Sequence, residues 1–222
     1  MKNTNNLIRY INRKRHAAGY GVHSQFAFEL IMDTIHTPYS YYIYKDNKDR
    51  LEQARLNKKA NRKYAELLFR LVNRFNSREI LEIGSGFGEN TLYLNAHSKQ
   101  AIVTCVEIKD EKTKKAQLLL ADKLENIIFT NVLSTQESGF DAIVWDLETF
   151  PYPEKLALET IEKAIKPDGF IVLNYINKRK ENKEVWKKIL QLDNLTMSFD
   201  LGTVGIVFFK PSLPKLNYDI YF

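Results

Sequence analysis

The chain has 222 residues, 44% of them hydrophobic, which is enough for one α/β core with an appendage. No run approaches the ~20 apolar residues of a membrane span, the polar start MKNTNN lacks the apolar centre of a signal peptide, and the single cysteine, Cys105, builds neither a disulfide framework nor a zinc cluster, so a cytoplasmic protein with no membrane partner is expected. The net charge of +6 is concentrated in the first third, where residues 1–63 hold 13 of the 33 Lys and Arg but only 5 of the 27 Asp and Glu; such a surplus suits a nucleic-acid or anionic-lipid surface, while its dispersion favours a solvated helical face.

Asn3 to Ala18 carries Leu7, Ile8 and Ile11 at helical spacing, with Arg13, Lys14 and Arg15 near its end, where cations favour the helix dipole. That helix should stop around Gly19 and Gly21. Ser24 reads as the N-cap of a second helix, whose Phe26, Phe28, Leu30, Ile31 and Ile35 form a broad apolar face before Pro38. Tyr39, Tyr41, Tyr42 and Tyr44 then crowd into one short stretch. Tyrosine combines flat apolar area with a hydroxyl, so this stretch either covers a cofactor or aromatic substrate or forms the seam that packs the N-terminal helices on the core, the seam being favoured. Lys48 to Phe75 is a long, charged, mostly helical piece whose Leu67, Leu68, Leu71, Val72 and Phe75 gather at its end to meet a sheet.

Arg78 to Asn95 reads REILEIGSGFGENTLYLN, a short apolar run, a glycine-rich turn at Gly84, Ser85, Gly86, Phe87 and Gly88, and a return to helical spacing. Such a turn brings backbone close to a ligand and aims the first amides of a helix at it. Glu82 stands two residues before Gly84, and Glu107 ends the next apolar run, 23 residues after Gly84. An acid in that position hydrogen-bonds ribose hydroxyls in nucleotide-type sites, and the interval fits a helix plus a return strand.

Glu82, Gly84, Gly86 and Gly88 match E-x-G-x-G-x-G, and the segment resembles motif I of the class I S-adenosylmethionine-dependent methyltransferases. Nicotinamide dehydrogenases carry G-x-G-x-x-G; Glu89 stands where their third glycine would fall, which leaves NAD as the runner-up cofactor. The resemblance extends over roughly residues 76–210. It implies S-adenosyl-L-methionine as cofactor, held by Glu82, Gly84, Ser85, Gly86, Gly88, Glu107, Asn131 and Asp146. Upstream, Gly21-Val-His-Ser-Gln-Phe-Ala-Phe resembles a G-V-H-S-P-F signature of an uncharacterised bacterial branch of these enzymes, with Gln25 in place of the proline.

Further along, Lys109 to Lys123 reads as a helix and Ile127 to Phe129 as a strand; Thr130-Asn131 stands where the family contacts the adenine. Phe140 to Asp146 is a fourth strand with Asp146 at its C-terminal end, where ligands bind in open α/β sheets. Pro153 starts a helix with Leu156, Leu158, Ile161 and Ile165 on its apolar side; Lys166 to Gly169 reads as a turn, and Phe170 to Asn174 as the fifth strand. Glu181 to Leu192 is a helix, and Thr196 to Leu201 and Val204 to Lys210 form a hairpin around Gly202-Thr203. The expected fold is α/β, a Rossmann-like methyltransferase sheet that is mostly parallel with one antiparallel strand. An N-terminal helical cap, 1–75, precedes an S-adenosylmethionine-binding domain, 76–222. The tail from Pro211 to Phe222 is apolar enough to add an edge strand or to make a dimer contact, which leaves a homodimer open.

Methyl transfer from a sulfonium is an in-line displacement in which proximity and orientation supply roughly 7–11 kcal/mol. An oxygen acceptor still wants a base or a metal, because a phenol with pKa about 10 is mostly protonated at neutral pH. O-methyltransferases similar to catechol O-methyltransferase hold Mg²⁺ with an Asp after strand four and an Asp-Asn pair after strand five. Here Asp146 matches the first ligand, but the pair falls on Asn174-Tyr175, and hard cations prefer carboxylates, so no tightly bound metal is expected. Asp146 and His23 are then the candidate bases, with Glu148 and Tyr175 as further possibilities. Asp146-Leu147-Glu148-Thr149 does not match the N/D-P-P-Y/F motif of nucleobase N-methyltransferases. The favoured expectation is therefore a methyltransferase acting on a small molecule at oxygen. Its alternatives are an RNA or other nucleic-acid methyltransferase using the basic helices, and a non-catalytic cofactor-binding or interaction protein.

Overall fold

The computed structural model describes residues 2–56, 59–133, 139–150 and 154–222. Helix α1, Lys2–Ala17, ends where Gly19 turns to φ +82, its amide and that of Tyr20 each donating at 2.9 Å to the carbonyls of His16 and Arg15. Its expected apolar face is not buried: Leu7, Ile8 and Ile11 are about half exposed, and the helix is held from its other side. There Arg13 Nη2 reaches Asp200 Oδ1 at 2.6 Å and Asp219 Oδ1 at 3.6 Å, and the Tyr10 and Tyr221 rings meet edge to face.

Ser24 caps α2, Gln25–Glu29, its hydroxyl accepting from the Ala27 amide at 3.3 Å. The helix widens into a π-helical stretch, Leu30–Ile35, whose last carbonyls are met by the buried guanidinium of Arg70: Nε donates to Thr34 O at 2.6 Å and Nη2 to Ile35 O at 3.4 Å. A cation at a helix C-terminus answers both the dipole and the orphan carbonyls. The tyrosine stretch divides. Tyr41 and Tyr44 pack on Phe69 and form the seam, while Tyr39 and Tyr42 are 78% and 83% exposed.

The single long helical piece expected over Lys48 to Phe75 is two helices, α3, Tyr42–Gln53, and α4, Lys59–Arg74, with Arg55 at φ +57 after the first. The apolar end of α4 buries Leu67, Leu68, Leu71 and Val72 as the pattern implied. From there strands and helices alternate: β1, Glu79–Ile83; α5, Glu89–Leu94; β2, Ile102–Val106; α6, Asp110–Leu119; β3, Ile127–Thr130; β4, Phe140–Asp146; α7, Glu154–Ala164; β5, Ile165–Asn174; α8, Lys180–Ile189; β6, Met197–Asp200; β7, Val204–Phe208; and β8, Leu216–Asp219. The expected helix start at Pro153 lies outside the described residues.

Among the described residues eight strands run in the order β3-β2-β1-β4-β5-β7-β6-β8, with β7 antiparallel to both its neighbours and the other pairs parallel. The tail thus becomes β8, an edge strand parallel to β6, with Ile220 buried and Lys63 Nζ 4.0 Å from the Phe222 ring centroid. Lys166 to Gly169, expected as a turn, is instead extended and opens β5, with a register shift against β4 between Phe140 and Ala142. Lys166 is drawn into the strand by Asp141, to which its Nζ lies at 2.6 Å, while Asp141 Oδ2 accepts the Arg78 and Glu79 amides at the start of β1. One apolar cluster joins the first sheet face to α2, α4, α5 and α6, and a second joins the other face to α7 and α8. Among the described residues no helix is long and apolar enough to cross a membrane.

Among the described residues the buried Arg70 has no carboxylate partner; it donates to the Thr34 and Ile35 carbonyls and the Tyr44 hydroxyl, and its removal leaves those two carbonyls unmet. Arg70→Ala is expected to lower stability by about 3 kcal/mol in urea denaturation, the scale of charge-assisted hydrogen bonds plus lost packing. A loss under about 1 kcal/mol would mean that water takes over the carbonyls.

Candidate active site

Sheet order reverses between β1 and β4, the switch point at whose carboxyl side α/β sheets bind ligands. The turn after β1 sits there, with Gly84, Gly86 and Gly88 at φ +84, +60 and +84. Gly84 is needed for space as well as for conformation: a Cβ there would come within 2.3 Å of Thr149 Oγ1, which donates to the Gly84 carbonyl at 3.0 Å. At Gly86 nothing lies within 4 Å of where a Cβ would be, so the turn presents open backbone to a ligand.

Glu107 is buried just past β2, and its carboxylate braces this turn. Oε2 accepts from the Gly86 amide and Oε1 from the Lys109 amide, both at 3.0 Å, and Lys112 Nζ lies 3.6 Å from Oε2. A carboxylate has lone pairs for further donors beyond these. Glu107 also lines a shallow hollow of about 330 Å³ with Asp110, Thr113, Gln117, Phe129, Thr130 and Asn131. Its partner Gly86 lines a second hollow of about 220 Å³, together with Tyr64, Gly84, Ser85, Asp146, Asn174 and Tyr175. The structure thus gathers around the glycine turn every cofactor residue expected from sequence. Asn131 reaches it as an exposed residue at the rim.

Glu82 lies beneath the turn, 1% exposed, and accepts from Thr91 Oγ1 at 2.5 Å through Oε2; its other oxygen, Oε1, is buried with no hydrogen-bond partner among the described residues. Burial, aided by the charges of Asp146 and Glu107 and opposed by the bonds from Thr91 and Cys105, pushes this carboxyl up to about 7. A buried carboxylate with an unmet oxygen fits a ligand that brings a positive charge and donors.

Asp146 is at the cavity, but its oxygens are engaged. Oδ1 accepts from the amides of Glu148 and Thr149 at 3.0 and 2.9 Å, and Oδ2 from Asn174 Nδ2 at 3.3 Å. Glu148 and Tyr175 also line the cavity. His23 does not: it is exposed ahead of α2, and the backbone of its neighbour Ser24 meets Tyr218 of the edge strand β8. Sequence reasoning missed Tyr64, Phe87, Asn90, Lys112, Thr149 and Lys178, all of which line the cavity. Thr149 was visible only as the fourth residue of D-L-E-T, and Tyr64 only as one aromatic in a charged helix. A larger hollow, about 630 Å³, lies between α1, α8 and β6, and both acids in it, Asp200 and Asp219, are engaged by Arg13.

The model of the methyltransferase domain family matches residues 55–200, about two thirds of the sequence. The chain belongs to the methyltransferase-domain family. Enzymes of this family draw the methyl group from S-adenosylmethionine, and this methyltransferase is S-adenosylmethionine-dependent; the open turn, the bracing Glu107 and the unmet oxygen of Glu82 fit that cofactor. Its fold is shared with solved enzymes at low identity. An O-methyltransferase from Bacillus cereus in complex with SAH matches at TM-score 0.58 and 15% identity, over 79% of this chain and 94% of that one. The O-methyltransferase TomG from Streptomyces achromogenes, in complex with SAM, matches at 0.56 and 12%, over 78% and 91%. The methyltransferase PaMTH1 of Podospora anserina, SAH-bound, matches at 0.59 and 11%, over 77% and 89%. No curated protein matches the methyltransferase in sequence.

Glu82 carries a pH signature. Its carboxyl titrates higher in the fold than in the unfolded chain, so Glu82's own contribution to the stability of the ligand-free protein is fully present below the ordinary glutamate pKa and is lost as pH rises toward and through about 7. Glu82→Gln is therefore expected to be more stable than the parent at pH 8, by up to about 3 kcal/mol, with the gap closing by pH 5. A gap independent of pH in urea denaturation would rule out the buried charge as its cause.

Proposed function

We propose that the methyltransferase acts on a small molecule at oxygen, without a tightly bound metal. The observation that carries this reading is the condition of Asp146, whose carboxylate already accepts three internal hydrogen bonds at the position where a metal-dependent enzyme would present its first ligand. Beside it stand Asn174, whose Oδ1 accepts from the Tyr175 amide, and Tyr175 itself, a donor set that suits a hard cation poorly. Among the described residues no three His, Cys, Asp or Glu side chains come together as a metal cluster. The hollow of about 220 Å³ brings Tyr64, Asn174 and Tyr175 up to the glycine turn, and the O-methyltransferases that share the fold support the reading.

S-adenosylmethionine supplies a methyl group on a sulfonium. An acceptor hydroxyl that took up this methyl group would have to lose its proton. The protein's part is to orient the acceptor and receive the proton, with Asp146 and Glu148 the carboxylates after β4 that line the cavity, together with Glu89 of α5. His23 would have to travel to take part. Glu107, Asn131 and the glycine turn would hold the nucleoside end of the cofactor, and Glu82, Ser85 and Asp146 would support its methionine end. The N-terminal cap of residues 1–75 contributes Tyr64 to the cavity from α4. Nucleic acid as acceptor is the weaker reading, because part of the N-terminal cationic surplus is neutralised within the chain: Arg13 on Asp200, Arg50 on Asp122 and Arg62 on Glu66.

Calorimetric titration with S-adenosylhomocysteine tests the reading. Submillimolar binding is expected, weakened about tenfold or more in Glu107→Ala and indifferent to Mg²⁺ or chelator. Absence of binding would remove the enzymatic reading, and dependence on Mg²⁺ would remove its metal-free form.

A further inference from the structure

Tyr175, which lines the cavity, is a non-glycine residue held at φ +63. Its amide donates to Asn174 Oδ1 at 3.0 Å, and its carbonyl accepts from the Lys178 amide at 3.1 Å and from Asn182 Nδ2 at 2.9 Å. Strained backbone held from both sides is a mark of a functional position. The ring lines the cavity and has Lys178 Nζ 4.7 Å from its centroid.

Lys178 Nζ and Arg179 Nη2 both bind the same oxygen, Glu148 Oε2, at 2.8 and 2.9 Å, while Asn182 donates to Oε1 at 3.1 Å. Two cations on one carboxylate leave the cluster with a net positive charge. Their side chains are 52% and 63% exposed, so little holds them against turning to a ligand. The other charged side chains lining the cavity are Glu89, Asp146 and Lys112. Deeper in, the Tyr64 hydroxyl is buried, lines the cavity and has no hydrogen-bond partner among the described residues. Burial and then the nearby Asp146, Glu82 and Tyr175 push its ionisation up, so it meets a ligand as a neutral phenol.

We propose that the methyl acceptor is a planar oxyanion, its acid group held by Lys178 and Arg179, its flat body against Tyr175 and a polar group at the Tyr64 hydroxyl. The inference rests on the methyltransferase reading of the same cavity. Lys178 and Arg179 recognise the oxyanion whether it is a carboxylate or a phosphate ester.

The test is calorimetric titration of the protein saturated with S-adenosylhomocysteine, using 4-hydroxybenzoate, phenyl phosphate and neutral phenol as probes. At least one of the two acids should bind about tenfold tighter than phenol, the ratio expected of one charge-assisted hydrogen bond, and the tighter of the two names the acid group. Lys178→Met and Arg179→Met should each weaken that acid about fivefold or more while leaving phenol and S-adenosylhomocysteine within about twofold, and Lys178→Arg should retain it. Equal affinity for acids and phenol, or no binding of any probe to the saturated protein, overturns the proposal. So does a loss in the variants that phenol shares. Failure of S-adenosylhomocysteine to bind at all would instead strike the methyltransferase reading beneath it.

Discussion

The carboxylate of Asp146 is the constraint on which the site depends. Three donors converge on it, two from the loop after β4 and one from the end of β5, so the strand ends flanking the cavity are tied at one point. The same tie places Thr149 so that its hydroxyl reaches back to Gly84, linking the loop after β4 to the glycine turn after β1. Although only 8% exposed, the carboxylate has these donors in place of water. The carboxylate is thereby engaged in holding the cavity together.

Two other carboxylates show how burial and partners divide roles among like residues. Glu107 is as buried as Glu82, yet it meets two amides and an ammonium, whereas Glu82 meets a hydroxyl and a distant thiol and keeps one oxygen unmet. The first braces the turn; the second keeps a buried oxygen without a partner among the described residues, and burial pushes its carboxyl up. Such paired environments are a common way for one site to combine rigidity with ligand dependence.

At the far edge of the sheet, the last strand and the first helix stabilise each other. Arg13 of α1 reaches Asp200 of β6 and Asp219 of β8, and the Tyr221 amide donates to the Arg13 carbonyl at 3.2 Å. The arrangement covers an edge that would otherwise present unpaired backbone. It also explains why α1 leaves Leu7, Ile8 and Ile11 half exposed: long-range ion pairs, not its apolar stripe, decide which side faces the core.

Local pattern alone determined much of this protein. The strand at Glu79 to Ile83, the glycine turn, the strand ending at Asp146, the Ser24 cap and the hairpin over β6 and β7 were all legible, because each depends on neighbours within a few residues. Glu107 was legible because a helix and a return strand have predictable length. Tertiary structure decided what depends on distant partners. Lys166 to Gly169 is strand and not turn because Asp141 draws Lys166 along β4. Leu30 to Ile35 widens as it ends against Arg70, and the tail becomes β8 because β6 offers it an open edge. Tyr64 and Lys178 reach the cavity from elements 114 residues apart in sequence, a convergence that no local spacing encodes. His23, chosen for the chemistry of its ring, lies away from the cavity for the complementary reason: residue type states what a side chain can do, and only packing decides where it stands.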